Sequence, residues 1–237
     1  MKKPTLCLEH VSKFYLEGGN RVSILQDISA VFKSGELAVL LGKSGSGKTT
    51  LLNLISGIDT ADSGRILING KDISGLSENE LTLIRRTHIG FIFQFFNLIP
   101  TLSVIENVSL PSELSGLSRK ESRQKALGLL SRVGLSDRKD SYTDVLSGGE
   151  QQRVAIARSL VNDPDIILAD EPTGNLDSDT SGEVLDLLLE LYRESGKTMI
   201  IATHSQDIAS RGDAVYTIEN GSLIRVPDKI STIASGS

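Results

Sequence analysis

The chain has 237 residues, one cysteine, 25 basic and 30 acidic side chains, and a net charge of −5. That length can bury a full core and suits one α/β domain carrying a subdomain. A single cysteine excludes an internal disulfide framework and points to a reducing compartment, and slight acidity without charge runs argues against a protein that coats nucleic acid. No apolar run approaches the roughly 18 to 20 residues that span a bilayer. The start, Met1-Lys2-Lys3-Pro4-Thr5, is basic but lacks the apolar core of a signal peptide, so a role at a membrane would need a separate anchor.

A first strand is expected over residues 5–11, with Cys7 a buried strand residue in Leu6-Cys7-Leu8. Phe14 and Tyr15 follow, before a loop at Gly18-Gly19-Asn20; either aromatic could stack on a purine or cap a sheet edge. A second strand over residues 23–32 turns at Ser34-Gly35 into the apolar run Leu37-Ala38-Val39-Leu40-Leu41. Residues 64–71 predict a strand ending in an Asn69-Gly70 hairpin turn. Ser77 and Glu80 make a capping box for a helix over residues 77–86, and residues 89–93 form a short buried strand that delivers Gln94.

From there the pattern turns helical, over residues 104–114, 119–133 and 149–160. This block interrupts an alternating α/β pattern and is expected to be an inserted subdomain. Ile166-Ile167-Leu168-Ala169 has the continuous apolarity of a central parallel strand, and Asp170-Glu171-Pro172 ends it. A helix over residues 178–193 presents Val184, Leu185, Leu188 and Leu191 on one face. A strand over residues 199–202 runs to Thr203-His204, and a hairpin through Asn220-Gly221 closes the pattern before a small, polar tail over 228–237 that is expected to fray.

Four pieces of chemistry sit at strand ends. Gly42-Lys43-Ser44-Gly45-Ser46-Gly47-Lys48-Thr49 lies between a strand and a helix, the context that makes a glycine-rich loop a phosphate cradle. Gly42, Gly45 and Gly47 can take backbone angles closed to other residues, and the amides of residues 44–49 face an anion at a helix start. Lys48 supplies a point charge for β- and γ-phosphates, and Thr49 a hydroxyl for Mg²⁺. Asp170 can anchor the Mg²⁺ shell, Gln94 can reach the metal or a water, and Glu171 can polarise that water. Pro172 is expected to hold Glu171 extended. An isolated His204 would be a hydrogen-bonded turn residue; beside the other three groups it is placed to donate to a γ-phosphate.

A second anion-binding helix start lies in Leu146-Ser147-Gly148-Gly149-Glu150-Gln151-Gln152-Arg153, followed by Val154 to Leu160 in an amphipathic helix. One domain rarely needs two such sites for one nucleotide, so the second is expected to serve a neighbouring copy in a head-to-tail dimer.

Together these motifs resemble the ATP-binding cassette (ABC) ATPases over essentially the whole chain. The resemblance makes residues 42–49 the Walker A loop, Gln94 the Q-loop glutamine and residues 146–150 the signature. Residues 166–170 become Walker B, Glu171 the catalytic carboxylate, Asn175-Leu176-Asp177-Ser178 the D-loop and His204 the switch histidine. It implies ATP and Mg²⁺ as cofactors. Nucleotide contacts come from Tyr15, which stacks on adenine beside Val22, and from Gly42, Lys43, Ser44, Gly45, Ser46, Gly47, Lys48, Thr49 and Thr50. Glu171, His204, Lys48 and Gln94 are implied to be catalytic. Thr49, Gln94 and Asp170 hold the metal, and Ser147, Gly148, Gly149 and Glu150, with Asp177 of the D-loop, act across the dimer. The implied fold is α/β, a P-loop NTPase: a mainly parallel ABC ATPase core, an antiparallel β-subdomain and an inserted α-helical subdomain. Residues 1–94 and 163–227 would form the core, 95–162 the helical insert and 228–237 a flexible tail.

Residues 89–100 and 168–177 resemble the MacB/LolD/FtsE group in particular. That resemblance implies a homodimer on the cytoplasmic face of the membrane, bound to a separate FtsX/MacB-type permease and driving lipoprotein release, antibiotic or peptide export, or cell-wall control in cell division. Phe95, Phe96, Leu98 and Ile99 either dock that permease or pack internally. Asp144-Val145 departs from the group, which often has a Pro-Ser or Pro-Asn pair there. The alternative is a soluble cassette ATPase of translation or DNA repair. Such relatives usually carry two cassettes or long coiled-coil or zinc insertions, and this chain has neither, so no direct nucleic-acid partner is expected.

Overall fold

The computed structural model describes residues 4–227; the tail expected at 228–237 lies outside the described residues. Strands β1 (Pro4–Glu17) and β2 (Asn20–Lys33) form a long antiparallel pair. Both are longer than their apolar cores predict. Register shifts near Leu8, Val11 and Lys13 let the ladder continue through polar sequence, with His10 and Asp27 at positive φ joined by a 2.7 Å side-chain contact. The extension makes Tyr15 and Val22 direct partners across the ladder. Cys7 lies in β1 but is only half-buried, between Val31 and Leu67 on the flanking strands, which corrects the expectation of full burial.

The chain continues through β3 (Leu37–Leu41), α1 (Lys48–Ser56), β4 (Ser63–Ile68), β5 (Lys71–Asp72), α2 (Glu78–His88) and β6 (Ile89–Ile92). Helices α3 (Val104–Leu114), α4 (Arg119–Arg132) and α5 (Gly148–Leu160) follow and pack on one another. Then come β7 (Ile166–Asp170), α6 (Ser178–Ser195), β8 (Thr198–Thr203), a short α7 (Gln206–Ser210) that the sequence pattern did not reveal, β9 (Ala214–Glu219) and β10 (Ser222–Val226).

Two sheets result. One is antiparallel in the order β2-β1-β4-β5; the other runs β10-β9-β3-β8-β7-β6, parallel except for β10. Alternation along the central strands divides the core. Val39, Ile167, Ala169, Met199 and Ile201 face α3 to α6, whereas Leu40, Ile166, Leu168, Ile200 and Ala202 face α1 and the antiparallel sheet. Burial on both faces explains why β3, β7 and β8 read as unbroken apolar runs.

Four helices, α2 to α5, begin with the same device. Ser77, Ser103, Ser118 and Ser147 each pair with a glutamate three residues later, giving four capping boxes where one was expected. Between α3 and the core, the buried Asn107 side chain accepts from Ile99 N and donates to the carbonyls of Ile99, Leu102 and Ser103, which fixes the connection from β6.

Gly90 marks the tightest contact between β6 and α5: a Cβ there would lie 2.3 Å from the Ser159 carbonyl oxygen. Gly90→Ala is therefore expected to destabilise the protein by about 1–3 kcal/mol through overpacking. Urea unfolding checks this, as a lowered midpoint at unchanged m-value.

Candidate functional site

Parallel strands β3, β6, β7 and β8 all end on one side of the sheet, where an open α/β fold collects its ligands. The loop after β3 makes two left-handed turns at Gly45 (φ 78°) and Gly47 (φ 100°) and then enters α1. Gly42 does not use that freedom. A Cβ there would crowd the Ser46 hydroxyl, at 3.0 Å from Oγ. The Gly42 amide donates to the Thr203 carbonyl at 3.1 Å, tying the loop to β8.

Lys48, 6 % exposed, curls back over the loop. Its Nζ donates to the carbonyls of Gly42 (2.7 Å) and Lys43 (3.0 Å) and lies 3.9 Å from Glu171 Oε1. A cavity of about 290 Å³ gathers Ser44, Gly45, Gly47, Lys48, Thr49, Thr50, Gln94, Asp170 and Glu171. Ile24 of β2 also lines it, and sequence reasoning missed this residue; the only signal was its place two residues beyond Val22, facing the same way along the strand. Gly42, Lys43, Tyr15, Val22 and His204 do not line this cavity, and Ser46 lines a neighbouring groove with Gly221. Ser147, Gly148, Gly149, Glu150 and Asp177 stand apart from it as well.

Glu171 carries the largest departure from expectation. It is not extended but left-handed, at φ 43°. Its N–H continues the ladder by donating to Ala202 O (2.9 Å), while its carbonyl accepts from Gly174 N (3.0 Å). These two bonds outweigh the local preference of a residue before proline, at a strain of about 1–3 kcal/mol. The carboxylate accepts from Thr203 Oγ1 at 3.2 Å, and His204 Nδ1 lies 3.0 Å from its other oxygen. At the end of β7, burial pushes the Asp170 carboxyl above the usual range. The Thr49 hydroxyl pulls it back, the Glu171 charge raises it further and Lys48 lowers it.

Loops around the site are tied together through their backbones. Asn175 Nδ2 donates to the Gln94 carbonyl at 2.7 Å. Arg158, on α5, donates to the carbonyls of Phe96 (2.7 Å) and Asn97, both of which are left-handed. Its neighbours there are carbonyls, and burial lowers its pKa to about 10. Of the apolar residues beyond Gln94, Leu98 packs against the core and the Phe96 ring lies near Gly148, whereas Phe95 and Ile99 are exposed.

At the second helix start, Ser147 caps α5: its Oγ accepts from Glu150 N (3.3 Å) and Glu150 Oε2 accepts from Ser147 N (2.9 Å). A Cβ on Gly149 would lie 2.5 Å from Thr180 Cγ2, so α5 and α6 touch with no room for a side chain. Asp177 caps α6 through Thr180 N at 3.0 Å. Near the open end of β1, the Tyr15 hydroxyl donates to Asp59 Oδ2 and Lys13 Nζ donates to Asp59 Oδ1, each at 2.7 Å. Burial opposes ionisation of Asp59, yet these donors hold its carboxyl below the usual range. The Tyr15 ring is thereby anchored while its face stays partly exposed.

A family model described as ABC transporter matches residues 25–174. The chain is 51 % identical over 223 residues to an uncharacterized ABC transporter ATP-binding protein of Mycobacterium tuberculosis, covering 94 % of this chain and 90 % of the relative. Over 221 residues it is 43 % identical to the lipoprotein-releasing system ATP-binding protein LolD of Coxiella burnetii, covering 93 % and 95 % of the two. Among solved structures, a dimeric ATP-binding cassette in a post-hydrolysis state bound to ADP and Pi superposes with a TM-score of 0.85. It is 40 % identical and covers 92 % of this chain and 96 % of that one. With the phosphate loop, the strand-end carboxylates and the second helix start all on one fold, this chain belongs to the ABC transporter family as one of its ATP-binding, ATP-hydrolysing subunits.

Proposed function

We propose that two copies of this chain bind two ATP molecules head to tail and drive a separate membrane permease of the FtsX/MacB type. The observation that carries this reading is the division of the site. The cavity around Lys48 has a loop, a cation and two carboxylates, while the second anion-binding helix start, at Ser147, lies away from it. A neighbouring copy's Ser147-Gly148-Gly149 supplies that missing half.

In this reading the loop amides, Lys43, Ser46, Lys48 and Thr50 hold the phosphates, and Tyr15 stacks on adenine with Val22 beside it. Gly42 ties the start of the loop to β8 through the Thr203 carbonyl. Thr49, Asp170 and Gln94 are the residues that would hold Mg²⁺. They offer a hydroxyl, a carboxylate and an amide oxygen, an all-oxygen set of the hard kind that this ion takes. Asp170, raised by burial and by Glu171, is a carboxylate whose ionised form a cation would favour. When bound, the ion supplies charge neutralisation at the β- and γ-phosphate oxygens. Glu171 orients the attacking water in line with the γ-phosphate. His204 steadies Glu171 and donates toward the transferred group, and Lys48 stabilises the charge that develops there. Glu150 and Asp177 keep their helix starts in shape for the opposite copy.

No described helix is long and apolar enough to cross a membrane. A groove of about 390 Å³ between β6 and α3 offers the permease a place: Phe91 and Phe93, stacked at 4.2 Å, and Leu110 and Leu114 give apolar contacts, with Arg86 and Arg158 for acidic ones. It suits a short cytoplasmic helix with an apolar stripe and a carboxylate. The chain then works on the cytoplasmic face of the membrane, held there by its partner, and the 43 % identity to a lipoprotein-releasing subunit favours extraction or export of a lipid-anchored or amphipathic cargo.

Lys48→Ala removes charge-assisted bonds of about 1.5–3 kcal/mol and should raise the nucleotide Kd on the order of 10- to 100-fold. Glu171→Gln should keep that Kd and lower turnover on the order of 10²- to 10⁴-fold. Equilibrium binding of a fluorescent ATP analogue, with phosphate release measured alongside, separates the two; near-normal turnover of Glu171→Gln would remove Glu171 from its role. Pull-down of tagged Glu171→Gln protein with ATP from detergent-solubilised membranes should recover a permease with few membrane helices and a large outer domain. Recovery of ribosomal or DNA-repair proteins alone would overturn the permease.

A further inference from the structure

Helix α5 reaches into its own chain two residues beyond the signature. Gln152 is 0 % exposed, and its Nε2 donates to the carbonyl of Pro172 at 2.5 Å. Its Oε1 is buried without a hydrogen-bond partner among the described residues. A buried acceptor left unpaired destabilises a fold, so this amide is a poor choice for packing alone. Its useful end is the one that holds residue 172.

That residue needs holding. Proline has no N–H, so the carbonyl is the only backbone polar group through which Pro172 can be anchored. It follows Glu171 directly, and Glu171 sits in a strained left-handed conformation. Such conformations persist only where the surroundings over-determine them. The Glu171 side is fixed by Ala202 O and Gly174 N; the Pro172 side is fixed by Gln152.

We propose that Gln152 is a positioning residue that sets the Glu171 carboxylate through the Pro172 carbonyl. The helix that offers Ser147 to one nucleotide thus also aims the carboxylate at the other, joining the two ATP sites of a dimer inside each chain. The proposal rests on the role of Glu171 and on Ser147 acting across the dimer, as set out above.

The test uses full-length protomers with two different tags. Mixed dimers are isolated over both tags with ATP and without Mg²⁺, and Mg²⁺ starts a single turnover. Each dimer carries one Glu171→Gln and one Gln152→Leu, on opposite chains or on the same chain; a dimer of Glu171→Gln with wild type is the reference. On opposite chains, the one working carboxylate belongs to the Gln152→Leu chain, and its rate should fall on the order of ten- to a hundredfold below the reference through misplacement. On the same chain, the working carboxylate belongs to the wild-type copy, and the reference rate should be kept. The reverse pattern would show that Gln152 acts through Ser147, equal slowing that it merely supports the fold, and no slowing that it has no role; each overturns the proposal. Gln152→Met, close to glutamine in length, repeats both arrangements should the leucine variant fold poorly. Glu171→Gln homodimers run alongside, and turnover there counts against Glu171 itself, separately from Gln152.

Discussion

One buried cation organises this molecule. Lys48 is taken out of water at the first turn of α1, where an unpaired ammonium would be costly. The structure answers with two carbonyls of its own loop and a carboxylate 3.9 Å away. Those partners impose the rest. The loop must fold back over its lysine, which requires left-handed turns at Gly45 and Gly47. The carboxylate must come from the end of a neighbouring parallel strand, so β3, β7 and β8 must lie side by side and in register.

The same logic extends outward through backbone carbonyls. Gln94 is held by Asn175, the segment beyond it by Arg158 and the connection to α3 by Asn107. Each of these side chains bonds a carbonyl that no regular ladder satisfies, as buried backbone groups require. The outcome is a ligand cavity whose walls come from distant stretches of chain yet leave few peptide groups to chance.

Much of this could be read from residue order alone, because the informative signals are local. Apolar runs announced the central strands, Asn220-Gly221 the last hairpin and Ser77 with Glu80 a helix start. The phosphate loop and the strand-end residues Gln94, Asp170 and Glu171 do converge on one cavity. What escaped depends on partners far away in sequence. The ladder through Phe14 and Tyr15 forms because β2 lies opposite, and Asp59 meets Tyr15 from 44 residues on. Glu171 was expected to follow Pro172, and instead follows Ala202 and Gly174. Gly42 has the freedom to turn left-handed but stays outside that region, with the Ser46 hydroxyl crowding its Cβ site.

The repeated capping boxes make the starts of α2 to α5 sensitive to acid. Glu80, Glu106, Glu121 and Glu150 accept bonds from serine hydroxyls and amides, which hold their carboxyls below the usual glutamate range. A carboxylate lowered on folding stabilises the native state above its unfolded pKa and loses that contribution as pH falls through the folded value. Below the usual glutamate range, then, α2 to α5 lose their N-terminal clasps together. Acid therefore releases these clasps, a loss that amide exchange follows helix by helix.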